Sequence, residues 1–462
     1  MSTVDLSRFQ FAMTSIYHFL FVPVTIGLAV LTAVLHTAWY RSRDDGYLRL
    51  TRFFGTLLII NIAVGVVTGL VQEFQFGMNW ADYSRFVGDV FGAPLAIEGL
   101  AAFFLESTFL GLWVFGWGRL SPRLHLVTVW LVALGALLSA AFIMAANSWM
   151  QHPVGYQLAN GRAELTNFWA VLRNPVFLWA YTHVVLASLV TGATVMLAVS
   201  SWHLLRRSDA DLFGRTAKLS LTVLIPGALL AMFVGSELGV VVTKYQPMKI
   251  AASEAQWQTC QPCSFSLFQI GGGNRDETPT KVIQIPHLLS LLATNSWNGQ
   301  VQGLNEVNAQ YQQQYGPNDY VPNVFVQYWS MRGMAYTAGL LFLLALWGGW
   351  LLRRKRILDA RWFNRLAVWA VLLPFVMNTA GWMLTENGRQ PWIVQGLMRT
   401  SDGVSGSLGT AAVVTSIVTF GLLYLILGVV GWALMVRYAR RPLGPAEPTP
   451  EPDERRPQVA TY

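Results

Sequence analysis

Two glutamates, Glu98 and Glu106, stand eight residues apart in the otherwise apolar run GDVFGAPLAIEGLAAFFLES. A carboxylate at the centre of a bilayer costs ~2.5–3.5 kcal/mol on insertion scales, so an ionisable side chain inside an apolar span marks function by default. Eight residues put the two on roughly one helix face, with Glu98 near a membrane surface and Glu106 near the midplane. That arrangement suits a proton relay. The plainer reading is a protonated Glu106 hydrogen-bonded to a neighbouring helix.

Four further side chains are potential metal ligands: His18, His183, Met334 and Glu386, each in a separate apolar run. Counted from the same side of the membrane, His18 and His183 lie ~10–12 Å deep and Met334 ~14 Å deep at ~1.5 Å per residue. A lone methionine in a span is ordinarily core packing. Imidazole, thioether and carboxylate ligands in the same half of separate helices instead suit a set of haem irons with different axial ligands. The stretch NTAGWMLTENGRQPW, from Asn378 to Trp392, holds Trp382, Glu386, Arg389 and Trp392 where a span should end. It reads either as an interfacial belt or as a cofactor edge. In the second reading Glu386 supplies an anionic oxygen, Arg389 pairs with an acidic cofactor substituent and the tryptophans wall the site.

These residues need helices that cross a membrane, and the composition provides them. Of 462 residues 53% are hydrophobic and only 12% charged, far from the soluble norm. The net charge of +8 lies in short clusters between apolar runs, which signals topology and not nucleic-acid binding. Runs of spanning length fall at about 11–38, 53–72, 94–116, 125–148, 176–203, 219–242, 325–352, 366–386 and 410–436. The fold class is therefore all-α, a polytopic membrane protein with nine transmembrane helices. Of the 32 Lys and Arg residues, 21 fall after spans one, three, five, seven and nine, so those connections should be cytoplasmic, the N-terminus outside and the C-terminus inside. No cleavable leader is evident, since Asp5 and Arg8 precede a long apolar run without a small-residue cleavage site.

The chain divides into spans one to six with haem ligands and proton path (1–242), a long extracytoplasmic polar loop (243–324), spans seven to nine (325–440) and a tail (441–462) expected to be disordered. The loop opens with QPMKIAASEAQW, read as a short amphipathic helix carrying Lys249 and Glu254, two residues that by themselves suggest a solvated face. Cys260 and Cys263 form Cys-Gln-Pro-Cys with Ser264 where covalent haem attachment needs His, so a local disulfide is expected. Gly65 and Gly69 read as close helix packing. His36, His125 and His203 fall at cytoplasmic span ends and His152 and His287 in outer segments, where all five can be wet.

The stretches TSIYHFLFVP, GDVFGAPLAIEGLAAFFLES, ANSWMQHPVG, YWSMRGMAY and TENGRQPW, with His183 in span five, resemble subunit I of cytochrome bd-type quinol oxidases from the N-terminus through the ninth span. The resemblance implies that His183 and Met334 ligate a low-spin haem b, with Arg332 beside it. It also implies that His18 and Glu386 hold a high-spin haem b and a haem d or further haem b. Lys249 and Glu254 fall where that family contacts quinol. The implied activity is quinol oxidation at the outer face and O2 reduction to water, building a proton motive force without pumping. The implied setting is a bacterial cytoplasmic membrane, with lipid bilayer, quinol, O2, a second integral membrane subunit and small single-span subunits as partners and no nucleic acid. The competing class is a secondary transporter using the buried Glu and His residues, against which stands the lack of repeated halves.

Overall fold

A computed structural model describes residues 2–444 apart from 276 and 278. Among the described residues nine helices are long and apolar enough to cross a membrane: Thr3–Ser42, Asp45–Met78, Ala81–Phe115, Pro122–Gln151, Pro175–Arg206, Ala210–Tyr245, Val324–Arg353, Arg361–Asn387 and Thr410–Ala439. The expected spans are all present. Their ends extend further because polar caps, not hydropathy, terminate them. Ser2 caps the first span through Asp5, Asn174 the fifth and Asn323 the seventh, each accepting from a backbone N–H that the helix leaves unpaired.

Three long connections, 152–174, 246–323 and 388–409, gather on one face with the start of span one, where the Thr3 and Thr410 hydroxyls lie 3.1 Å apart. This loop-rich face carries antiparallel hairpins Tyr156–Ala159 with Arg162–Leu165 and Phe265–Ile270 with Thr280–Ile285, and a short pairing of Trp392–Val394 with Met398–Arg399. The long loop is folded. Its helices Pro247–Ser253 and Leu304–Tyr315 pack a small core with Met248, Leu304, Val307, Tyr320 and Trp392, and its helix Leu288–Thr294 packs a second one with Cys263, Phe265, Leu289, Ala293 and Val301. The expected disulfide joins Cys260 to Cys263. Most of the tail, 445–462, lies outside the described residues, while Leu443 before it is buried and its carbonyl accepts from Arg49.

The main core gathers Leu28 and Leu31 of span one, Leu57 and Leu58 of span two, Ala193 and Leu197 of span five and Leu221 and Leu224 of span six. Spans one and five touch without side chains between them. A Cβ on Gly27 would lie 2.3 Å from the Ser188 carbonyl oxygen, and one on Gly192 2.5 Å from the Gly27 carbonyl carbon. Small residues let helix backbones approach this closely in membranes.

Span three is broken by a π-helical segment, Glu98–Phe103, a wider turn that is rare and concentrated at functional sites. The third and ninth spans bury little of themselves: Leu100, Phe104, Phe115, Val418, Leu425 and Val429 all expose more than half of their surface.

The Gly27–Gly192 crossing predicts that Gly192→Ala lowers the thermal unfolding midpoint of the purified protein, at a cost of ~1–3 kcal/mol for overpacking. Gly339→Ala in span seven, where an added Cβ meets nothing within 4 Å, should leave it unchanged.

Candidate functional site

The two intramembrane histidines are held in the same way. Thr68 of span two donates its single hydroxyl proton to the Gly65 carbonyl at 2.9 Å. Its oxygen therefore accepts from Nδ1 of His18 at 3.0 Å. Nδ1 of His183 lies 3.0 Å from the Ala231 carbonyl of span six, which can only accept. Both rings thus carry their proton on Nδ1 and present Nε2 with a free lone pair, the orientation that metal-ligating histidines take from a second layer of partners. Glycines make the room. A Cβ on Gly69 would sit 3.1 Å from Cε1 of His18 and one on Gly235 2.9 Å from Cε1 of His183. Gly69, read from sequence as a packing glycine, is a clearance for His18.

Met334 of span seven lies against Gly381 of span eight, where a Cβ would come 3.1 Å from its sulfur. One residue beyond, Trp382 stacks on Phe19, centroids 5.3 Å apart. Phe19 adjoins His18, so span eight brings Trp382, and Glu386 one turn later, alongside the His18 segment of span one. No group of three or more His, Cys, Asp or Glu that could hold a metal ion by themselves occurs among the described residues. One or two axial protein ligands per iron, the rest coming from a macrocycle, require no such group.

Glu386 is the end of a buried chain. Lys249 Nζ donates to Gln151 Oε1 at 2.6 Å, Gln151 Nε2 to Asn147 Oδ1 at 2.7 Å, and Asn147 Nδ2 to Glu386 Oε1 at 2.8 Å. The other Glu386 oxygen accepts from Arg389 Nη2. Arg389 is 5% exposed, yet its Nε and Nη1 have no partner. Leaving charged donors buried and unpaired is costly, and two idle guanidinium nitrogens beside a carboxylate fit an acidic cofactor substituent. Asn147 and Gln151 were missed as site residues. Their signal was two amides one helical turn apart at the end of an apolar span.

The loop pair is not the solvated face its sequence suggests. Lys249 is 4% exposed and Glu254 3%, because the loop folds over both. A Cβ on Gly388 would collide with the Lys249 side chain at 2.5 Å, so the turn after span eight closes directly on its stem. Burial, reinforced by the charge of Arg389 and opposed by that of Glu386, pulls the Lys249 amine down to about 7. Glu254 pairs with Arg332 at 2.8 Å, both almost fully buried. Arg332 also donates to the Ser253 and Ser266 carbonyls and stands 3.7 Å from the Tyr328 ring centre. Burial pushes the Glu254 carboxyl up, with the guanidinium opposing it. Arg332 thus serves Glu254, and only its Nε has no partner.

Glu98 and Glu106 both meet span four. Ser139 Oγ donates to Glu98 Oε1 at 2.7 Å, and Gly135, one turn away, would place a Cβ 2.9 Å from that of Glu106. Both carboxylates face span four, with the π-helical segment starting at Glu98 and ending three residues before Glu106.

The chain is similar to known proteins along nearly its whole length. A profile of the family described as cytochrome bd terminal oxidase subunit I matches residues 6–443. The chain is 42% identical to the cytochrome bd ubiquinol oxidase subunit 1 of Bacillus subtilis (strain 168), covering 96% of this chain and 94% of that one. It is 36% identical to the cytochrome bd-II ubiquinol oxidase subunit 1 of Escherichia coli (strain K12), over 96% and 97%. The solved bd oxidase of Geobacillus thermodenitrificans superposes with a TM-score of 0.86 at 30% identity, over 95% of this chain and 98% of that one. With its nine apolar helices and this match along nearly its whole length, the chain belongs to the cytochrome bd terminal oxidase subunit I family.

Proposed function

We propose that the chain is the haem-bearing subunit of a quinol:oxygen oxidoreductase of the bacterial cytoplasmic membrane, with its loop-rich face outside. The observation that carries this reading is the common tautomer of His18 and His183, each with Nδ1 tied to a neighbouring span and Nε2 left to bind iron. His183 and Met334 would hold a low-spin haem b, and His18 and Glu386 a high-spin haem b and a haem d or further haem b. Arg389 would meet an acidic haem substituent with its unpartnered nitrogens. When bound, haem iron supplies one-electron transfer and the place where O2 is reduced.

The chain's own residues handle quinol and protons. Lys249 and Glu254 lie under the folded loop on the face where the relatives named as ubiquinol oxidases would meet their donor, and quinols are the substrate class proposed here. An amine near 7 is half neutral at physiological pH, so Lys249 can accept a quinol hydroxyl proton. Gln151 and Asn147 fix its position relative to Glu386. Glu254, held by Arg332, is a second acceptor. Protons leave on this face, while Glu106 and Glu98 deliver those consumed with oxygen from the opposite face. Charge separation then needs no pump. The exposed apolar flanks of spans three and nine suit a second integral membrane subunit and small single-span subunits.

Lys249→Gln keeps a partner for Gln151 but removes the titrating amine. Its KM for quinol should rise ~10–100-fold, as expected for ~1.5–3 kcal/mol lost with a charge-assisted hydrogen bond. Below about pH 7 the native amine is protonated and its lone pair lost, so native kcat/KM for quinol should fall on the acid side. Steady-state kinetics across pH checks this, and an unchanged acid limb in Lys249→Gln contradicts the role. Glu106→Gln should slow proton uptake and O2 reduction while quinol still reduces the low-spin haem at its normal rate. Stopped-flow reduction followed by an oxygen pulse separates the two steps.

A further inference from the structure

His36, His125 and His203 were expected to be wet at span ends, but they are 0%, 3% and 0% exposed. His203 has a structural account: it is stacked on Phe213 with ring centres 3.8 Å apart and donates from Nε2 to the Ala439 carbonyl at 2.9 Å, so that only its acceptor Nδ1 lacks a partner. His36 and His125 have none. Their rings lie 5.0 Å apart near the short-loop ends of spans one and four. Trp113 of span three bridges them. Its indole N–H donates to Nδ1 of His36 at 3.2 Å, and its carbonyl lies 2.7 Å from Nε2 of His125. Because an indole nitrogen only donates, Nδ1 of neutral His36 is the acceptor and its proton sits on Nε2. That N–H is fully buried and has no partner. One turn deeper, the Thr32 hydroxyl is also fully buried and also has none.

A buried donor without an acceptor costs ~1–3 kcal/mol, and packing alone gives no reason to keep two in one column. The column leads toward Glu106. Trp113 stands seven residues, two helical turns, below Glu106 on span three, a rise of ~10 Å, and Thr32 is ~6 Å above His36 at ~1.5 Å per residue. Span four repeats the direction: His125, Thr128, Gly135 and Ser139 follow one face, and the last two meet Glu106 and Glu98. On the other side Trp117 closes the pair, edge-on to His125 at 4.1 Å and stacked with His36 at 5.4 Å. The charged groups around this lid are Arg52 of span two, 4.9 Å above the Trp117 ring, and Arg43, 5.6 Å from the Trp39 ring.

We propose that His36 and His125 form the proton-loading site on the short-loop face that supplies Glu106. This rests on the reading in which Glu106 delivers protons for oxygen reduction. The imidazole pair takes one proton from water on that face. One proton leaves from Nε2 of His36 through bridging water along the Thr32 hydroxyl. The N–H bond at Nε2 of His36 breaks and an O–H bond forms at Glu106, and the proton taken from water restores that N–H, so that the pair returns to neutral with Nδ1 of His36 still accepting from Trp113.

The test uses the whole oxidase in liposomes, with a pH dye and a membrane-potential probe following one turnover started by oxygen. His36→Gln keeps an acceptor for the Trp113 N–H but cannot relay. Both His36→Gln and His125→Gln should slow proton uptake about a hundredfold, the lower end for loss of a positioned proton-transfer group, with haem content and reduction by quinol unchanged. Should neither histidine variant retain haem, Thr32→Val, which keeps shape and removes the hydroxyl, should slow the same phase. Glu106→Gln run in parallel separates the two ideas. If it slows uptake while the histidine and Thr32 variants run at the native rate, the loading site is wrong and the Glu106 reading stands. If Glu106→Gln takes up protons at the native rate, that reading fails and the loading site fails with it.

Discussion

The contact between Gly27 and Gly192 sets the frame for the site. Two backbones meet there with no room for a methyl group, which fixes where spans one and five cross and how they are rotated. His18 lies nine residues before Gly27 and His183 nine before Gly192. Both spans run in the same direction, so each histidine stands ~13–14 Å above the crossing at ~1.5 Å per residue. Equal depth of the two imidazoles is a consequence of that one junction.

The surrounding glycines extend the same logic from backbone to side chain. Gly69, Gly235, Gly381 and Gly388 leave the volumes taken by His18, His183, Met334 and Lys249. Fixed hydrogen-bond partners on neighbouring spans then choose each tautomer. Thr68 and the Ala231 carbonyl hold Nδ1 of His18 and His183, and the Trp113 N–H holds Nδ1 of His36 in the opposite sense. Identical residues thereby present a lone pair at one level of the membrane and a proton at another. The chain Lys249–Gln151–Asn147–Glu386 adds a rigid polar link between the folded loop and the end of span eight.

The nine spans were legible because hydropathy over some twenty residues is a strong signal, and the ligand candidates because a polar residue in lipid must have a reason. Lys249 and Glu254 were read as surface because nothing local in their sequence shows a loop folding back over them. That burial comes from Gly388, Tyr320 and Trp392, distant along the chain. His36 and His125 failed in the same way, since a position near a span end does not reveal the Trp113–Trp117 cap. The π-helical segment after Pro94 had no sequence signal, and its effect is felt only through contact with span four. Asn147 and Gln151 were readable in principle as a polar i, i+4 pair, but their partners lie on other elements.

The account turns on which side chains hold iron. Near-infrared magnetic circular dichroism of the oxidised holoprotein tests this most directly, because imidazole–thioether ligation has its own charge-transfer signature. The expected result is that signature in the native protein, lost in Met334→Leu and in His183→Ala and kept in His18→Ala. Its persistence in Met334→Leu, or a bis-imidazole spectrum in the native protein, would contradict the assignment.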